Sequence, residues 1–250
     1  MISIIIPVYN EAQRIAPILR YLTTAGSSQH IREIIVVDGN STDDTKALAT
    51  SVVETSIIPI QVMSSEKGRA RQMNTGAKVA EAEVLYFLHV DSYPPLHFDA
   101  HILKAVATGD QAGCFRMRFD SQHPWLQLAG WLTRFNWRAC RGGDQSIFVT
   151  QSLFDTIGGF NEEYIIYEDI IFINQLYAHG SFTVLPYWLT TSARLYREKG
   201  IATLQYHFYM IYLKKALGAT PEELYGYYCK HIKSQELDKT PMTVEAIFDK

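Results

Sequence analysis

Two aspartates stand just after apolar runs. Asp38 follows Ile34-Ile-Val-Val37 directly, and Asp91 follows Leu85-Tyr-Phe-Leu88 after His89 and Val90. A carboxylate at the end of a buried strand is expensive to desolvate without a partner. Taken singly, each is explained as well by its turn, since Asp38-Gly-Asn-Ser41 is good turn chemistry. Two on one edge of a sheet point instead to a ligand. A third group joins them in Lys67-Gly68-Arg69-Ala70-Arg71. There, a glycine permits close backbone approach, a helix start offers free N–H groups, and two guanidinium groups add positive charge. That combination suits a phosphate or diphosphate. The fourth is Glu168-Asp169, adjacent carboxylates opening a helix. The helix dipole favours them there, and they are also candidates for a general base at the edge of a cleft.

The elements that position these groups alternate regularly. Apolar, β-branched runs at 2–8, 33–37, 57–63 and 84–88 are separated by helical spacing over 11–25, 43–53 and 69–82. Strands that are continuously apolar rather than alternating are covered on both faces, as in a parallel sheet flanked by helices. In such a sheet, ligands bind beyond the carboxyl ends of the strands, where Asp38, Arg69 and Asp91 fall. After Asp91 the pattern changes to a helix over 97–108, a strand over 113–119 and an aromatic helical stripe over 124–138. A strand follows at 146–149, then the Gly158-Gly159 turn, a helix over 168–179 and a last strand over 182–185. Beyond Arg197 the chain reads as helical and rich in Tyr. The fold class is therefore α/β, a mixed and mainly parallel sheet flanked by helices, with a helical C-terminal extension.

Composition narrows the function. The chain has 250 residues, 23 Lys+Arg against 26 Asp+Glu, and a formal net charge of −3. This balance argues against broad nucleic-acid binding. With 47% apolar and 20% charged residues it is an ordinary globular composition rather than a disordered one. The three cysteines are widely spaced and suggest neither a disulfide framework nor a metal knuckle, which fits a reduced cytoplasmic setting. The N-terminus lacks a basic segment before its short apolar run, unlike a signal peptide. The uncharged stretch 201–213 spans only about 20 Å as a helix, short of a membrane core. No phosphate-binding Gly-x-x-x-x-Gly-Lys-Ser/Thr loop is present, and no Gly-x-Gly-x-x-Gly follows the first strand.

Five segments occur together in order: Ile4-Ile-Ile-Pro7-Val-Tyr-Asn10-Glu11, Val37-Asp38-Gly-Asn-Ser-Thr42-Asp43, Lys67-Gly68-Arg69-Ala-Arg71, His89-Val-Asp91 and Tyr167-Glu168-Asp169. In this order they resemble family 2 glycosyltransferases, a family with the GT-A fold. The resemblance runs to about Arg197. Ser192-Ala-Arg194 and Leu217-Gly-x-x-Pro221-Glu-Glu-Leu-Tyr225 look like those of a compact, non-processive bacterial branch. It implies a GT-A-like catalytic domain over residues 1–198, with a nucleotide-binding half (1–92) and an acceptor half (93–198). Residues 199–250 would form a helical extension packed on the same unit.

By this resemblance Pro7, Tyr9 and Glu11 line the nucleoside pocket, and Asp38 binds the base or ribose. Gly68, Arg69, Arg71 and Arg194 lie near the diphosphate. Asp91 holds Mg²⁺ or Mn²⁺, and Asp169 and Glu168 are the catalytic pair, with Asp169 the base. Two departures stand out. The first Asp of the family's Asp-x-Asp metal motif is His89 here, still able to hydrogen-bond the nucleotide. The Gln-x-x-Arg-Trp motif of processive members is absent, so a single transfer is expected; the resemblance implies a UDP- or GDP-sugar donor, and direct displacement would invert the anomeric centre.

The acceptor side is read from residues alone. Trp125, Trp131 and Trp137 form an aromatic stripe, either a sugar platform or simply core. Arg134, Arg138 and Arg141 stand beside it, and Asp144 and Gln145 follow Gly142-Gly143 in a loop able to present them to an acceptor. The acceptor would be a carbohydrate or a lipid-linked molecule. The apolar 201–217 segment either packs on the domain or makes peripheral contact with the inner face of the membrane. Two rival readings are a sugar nucleotidyltransferase, which lacks support because no Gly-rich basic loop follows the first strand, and a non-catalytic nucleotide-sugar-binding protein.

Overall fold

A computed structural model describes residues 1–180 and 182–233. The first half runs β1 (Ile2–Val8), α1 (Ala12–Ala25), β2 (Ile31–Asp38), α2 (Thr45–Val53), β3 (Ile60–Ser64), α3 (Arg69–Val79) and β4 (Val84–Phe87). The second runs β5 (Ser92–Tyr93), α4 (Phe98–Ala107), β6 (Ala112–Phe119), α5 (Pro124–Leu132), β7 (Ile147–Thr150), α6 (Gln151–Ile157), α7 (Glu168–Ala178) and β8 (Phe182–Thr191). Three helices follow: α8 (Arg194–Lys199), α9 (Ile201–Ala216) and α10 (Pro221–His231). The rest of the expected C-terminal extension, 234–250, lies outside the described residues.

One eight-stranded sheet has the order β3-β2-β1-β4-β7-β6-β8-β5. The first four strands are mutually parallel. Strand β7 joins β4 antiparallel, β6 pairs antiparallel with β7 and parallel with β8, and β5 closes the edge antiparallel to β8. The apolar runs are continuous because both faces are covered. Ile4 and Ile6 face a core shared with α1, α2 and α4, while Ile5 faces one shared with α3, α6 and α7. Each such fully buried side chain stabilises the fold by about 1.5–3 kcal/mol. Gly76 lets α3 lie tight on β1: a Cβ there would stand 2.6 Å from Ile5 Cγ2.

Two elements differ from the sequence expectation for definable reasons. The helix expected over 124–138 stops at Leu132. The hydroxyl of Thr133 donates to the Gly130 carbonyl (2.6 Å) and accepts from the Met117 amide (2.9 Å), which turns the chain into the sheet. The strand expected over 182–185 continues through Pro186 to Thr191. Proline has no N–H for the ladder, and the register with β6 slips there: Phe115 pairs Leu185, whereas Arg116 pairs Trp188. The bulge tolerates the proline and carries the strand on to the cleft. The two-residue β5 and helix α6 were also absent from the expected pattern.

Candidate active site

The strand order reverses between β1 and β4, which opens a crevice beyond their carboxyl ends. A cavity of about 300 Å³ fills it. Pro7, Tyr9 and Glu11 reach it from the β1 end, Arg69 and Gln72 from the start of α3, and His89 and Asp91 from the β4 end. Asp144, Thr191, Arg194 and Tyr196 close the opposite side, and Leu204, Phe208 and Tyr228 of α9 and α10 roof it.

Two loops that frame the cavity are stitched together by the polar residues after β2. The Asn10 amide donates to Ser41 Oγ (2.9 Å), and the Thr42 amide donates to Asn10 Oδ1 (2.8 Å). The amides of Glu11 and Ala12, at the start of α1, donate to Thr45 Oγ1 (2.7 Å) and Asp43 Oδ2 (3.2 Å). Helix α1 is thus capped from the neighbouring loop rather than by its own N-cap residue. Asn10 and Asn40 take left-handed backbone conformations (φ 54° and 62°), which asparagine tolerates. Gln72, buried in α3, donates through Nε2 to the carbonyls of Val8 and Val37, both at 2.8 Å. It fastens α3 across the ends of β1 and β2.

Charges in the cleft are paired. The Arg194 guanidinium lies 2.8 Å from Glu11 and 3.5 Å from Asp91. Glu11 also binds Arg14 at 2.8 Å. Burial raises the Asp91 carboxyl above its ordinary value, against the pull of Arg194. His89 Nδ1 stands 3.3 Å from Asp144. Burial disfavours the His89 cation, but its hydrogen bond to Asp144 helps to hold the imidazole above its usual value. Asp144 is held below its usual value, because His89, Arg69 and Arg194 outweigh its desolvation.

Glu168 and Asp169 sit in different surroundings. Glu168 is fully buried, and its Oε1 stands 2.7 Å from Arg69 Nε. The contact with Arg69 is an ion pair, and neither Glu168 oxygen has a hydrogen-bond partner among the described residues. Desolvation pushes its carboxyl up to about 7 despite Arg69. Asp169 accepts from the amides of Gly143 (2.6 Å) and Ile170 (2.8 Å). A Cβ on Gly143 would come 2.7 Å from Asp169 Oδ2, so glycine is what admits this approach. Tyr167, which precedes the pair, has φ 72°. That conformation is strained for a bulky side chain, and the Glu168 and Asp169 that follow it do not themselves line the cavity.

Pro7, Tyr9, Glu11, Arg69, His89, Asp91, Asp144 and Arg194 thus share one cavity. Asp38 does not line the cavity: it is buried at the end of β2, with Oδ2 accepting from the Ser41 amide (3.1 Å) and Oδ1 without a partner among the described residues. Gly68, at φ 144°, allows the turn into α3, while Arg71 points away to an exposed pair with Glu66. On the acceptor side Gln145 is buried and braces the loop, its Oε1 accepting from the Gly142 amide (3.1 Å). Arg141 is likewise a buried brace, donating to the carbonyls of Thr133 and Phe135. Trp125, Trp131 and Trp137 are exposed, and none lines the cavity.

The sequence model described as glycosyl transferase family 2 matches residues 3–161. The chain belongs to glycosyl transferase family 2. A relative from Haloferax volcanii, glycosyltransferase AglE, is 33% identical over 94 residues, which is 37% of this chain and 31% of that protein. Among solved structures, residues 1–349 of Staphylococcus aureus TarS in complex with UDP superpose with TM-score 0.63 at 20% identity, covering 77% of this chain and 60% of that one. The mannosyltransferase PcManGT from Pyrobaculum calidifontis, in complex with GDP-Man and Mn²⁺, superposes with TM-score 0.65 at 19% identity, covering 94% and 65%. These likenesses establish the GT-A-like fold. The chain thus spans less than two thirds of each of these relatives.

Within this family-2 cleft, several contributors carried no distinct signal in the sequence. Asp120 accepts from the Ala193 amide (2.5 Å) and pairs with Arg197 (3.0 Å), which presents Arg194 to the cavity. Tyr196, Phe208 and Tyr228 belong to the helical part and reach the site only through tertiary packing. Among the described residues, no three His, Cys, Asp or Glu side chains converge as a ready metal cage. His89 is engaged by Asp144, while Asp91 presents a carboxylate to the same cavity. One carboxylate plus substrate phosphates is a usual Mg²⁺ arrangement, so the residues fit a cation held jointly with a diphosphate.

Proposed function

We propose that the protein transfers a single sugar from a nucleoside-diphosphate sugar, of UDP or GDP type, to an acceptor hydroxyl with inversion at the anomeric carbon. The observation that carries this reading is the convergence of Arg69, Arg194 and Asp91 on one cavity at the strand-order reversal. Pro7, Tyr9, Glu11 and Asp38 would cradle the nucleoside there. Arg69 and Arg194 supply fixed positive charge where the leaving diphosphate gains negative charge. A divalent cation, Mg²⁺ or Mn²⁺, would be held by Asp91 and would neutralise the diphosphate.

Asp169 is the proposed base. A sugar hydroxyl is a weak nucleophile, and a carboxylate positioned beside it takes the proton as the oxygen attacks the anomeric carbon. The amides of Gly143 and Ile170 fix the orientation of Asp169 and leave each of its oxygens a second lone pair. Asp144 stands on the same loop with its side chain more than half exposed, suited to an acceptor contact.

The test is Asp169→Asn. Release of nucleoside diphosphate from a donor sugar should fall by roughly a thousandfold or more, while nucleotide affinity stays within about twofold. Unchanged turnover in this variant would remove Asp169 from the mechanism.

A further inference from the structure

Helix α9 is apolar on two opposite sides, and the structure covers only one. Leu204 and Ile211 are buried against α10, in a cluster with Leu224 and Ile232. On the other side Ala202, Tyr206, Tyr209, Leu213 and Leu217 follow helical spacing, and all are exposed, Tyr209 by 63% and Leu217 by 79%. A helix that is apolar all round normally has both faces buried. Helix α5 lies alongside: Trp125 lines a groove of about 620 Å³ with Ile201, Gln205, Tyr206 and Tyr209. One turn on from Trp125, Leu128 is also exposed. The two helices therefore leave one uncovered surface rich in Trp, Tyr and Leu, a composition suited to the boundary between water and lipid.

Charge decides the kind of partner. Neither 121–143 nor 199–221 contains an acidic residue, although the chain has 26. The charges in these two segments are basic: Arg134 and Arg138 are exposed just beyond α5, whereas Lys214 and Lys215 turn to Tyr227 and Tyr164 on the covered side, and exposed Glu222 and Glu223 follow at the start of α10. The α5 side of this aromatic face is bordered by the exposed Arg134 and Arg138, which makes it complementary to an anionic surface. No helix among the described residues is long and apolar enough to cross a membrane, so the contact would be peripheral. We propose that the α5–α9 face docks on an anionic lipid bilayer, with Trp125, Tyr206 and Tyr209 entering the headgroup region. The inference does not depend on the reaction assigned to the cleft, although Leu204 and Phe208 of α9 line that cleft from the other side.

Vesicle flotation of the full chain tests it. Liposomes of phosphatidylcholine with about a third phosphatidylglycerol should carry roughly tenfold more protein than phosphatidylcholine alone, and the gain should fade in high salt. The double variant Trp125→Ser/Tyr209→Ser should lose roughly tenfold in binding with an unchanged melting temperature. Leu213→Ser, at a separate exposed position, should weaken binding in the same direction. Absence of flotation with either lipid overturns the proposal, as does full binding by all these variants. A dimer in lipid-free solution that the same substitutions dissociate, without vesicle binding, would show that a second copy covers the face and would also overturn it.

Discussion

Arg194 and Glu11 lie 183 positions apart and meet as a two-pronged ion pair, Nη2 to Oε1 at 2.8 Å and Nη1 to Oε2 at 3.3 Å. The contact ties the start of α8 to the loop after β1 across the mouth of the cleft. Glu11 is shared with Arg14, whereas Asp91 has Arg194 as its nearest cation. The same guanidinium thus bridges the mouth of the cleft and faces the region proposed for the diphosphate.

Arg194→Met should therefore cost both stability and ligand affinity. Breaking a fully buried pair costs 3–5 kcal/mol, but Arg194 is partly exposed and Arg14 remains on Glu11, so about 2 kcal/mol is expected. Chemical denaturation should show this loss, and calorimetric titration should show roughly tenfold weaker binding of the nucleotide.

Glu168 makes stability depend on pH in a predictable sense. Its folded value is raised to about 7 from an ordinary value of 4.5, so its contribution is fully present below about 4.5 and is lost as pH rises through 7. Glu168→Gln removes that dependence. Relative to wild type, the variant should gain up to about 3 kcal/mol between pH 5 and pH 8 in urea unfolding. A constant difference across that range would show that Glu168 does not titrate there.

Gly143→Ala probes the placement of Asp169. The added methyl must displace a carboxylate 2.7 Å away, or the loop that carries Gly143. Turnover should drop by roughly tenfold to a hundredfold with a smaller change in donor KM, because geometry at the proton-accepting group is lost rather than nucleotide binding. Steady-state kinetics with a donor sugar separate the two effects.

His89→Asp places a second carboxylate beside Asp91 and deprives Asp144 of its partner. Nucleotide affinity measured with Mn²⁺, relative to that with chelator, should increase by roughly tenfold. An unchanged ratio would show that the metal requirement is not set at position 89.

Much of this was legible before the structure, for identifiable reasons. The parallel half has continuous apolar strands because Ile4, Ile5 and Ile6 alternate between two buried faces, and that pattern survives in one dimension. The same logic placed Arg69 and Asp91 at one sheet edge, where the cavity lies. What escaped depends on side chains meeting across long separations. Gln72 reads as an ordinary helix residue until its amide reaches the carbonyls of Val8 and Val37. Gln145 follows a glycine pair like a surface residue, yet it is buried beneath the loop it braces. Pro186 reads as a strand end, whereas a bulge carries β8 past it. The tryptophan stripe has helical spacing whether it faces a core or an outside partner, and only its exposure separates the two.

The most direct measurement is calorimetric titration of the wild-type protein with UDP-, GDP- and dTDP-sugars, each with Mn²⁺ and with chelator, repeated on Arg69→Met. Binding of one nucleotide class, strengthened by the metal and weakened roughly tenfold by the substitution, is the expected result. No binding of any nucleotide sugar, with or without metal, would contradict a donor site in this cleft.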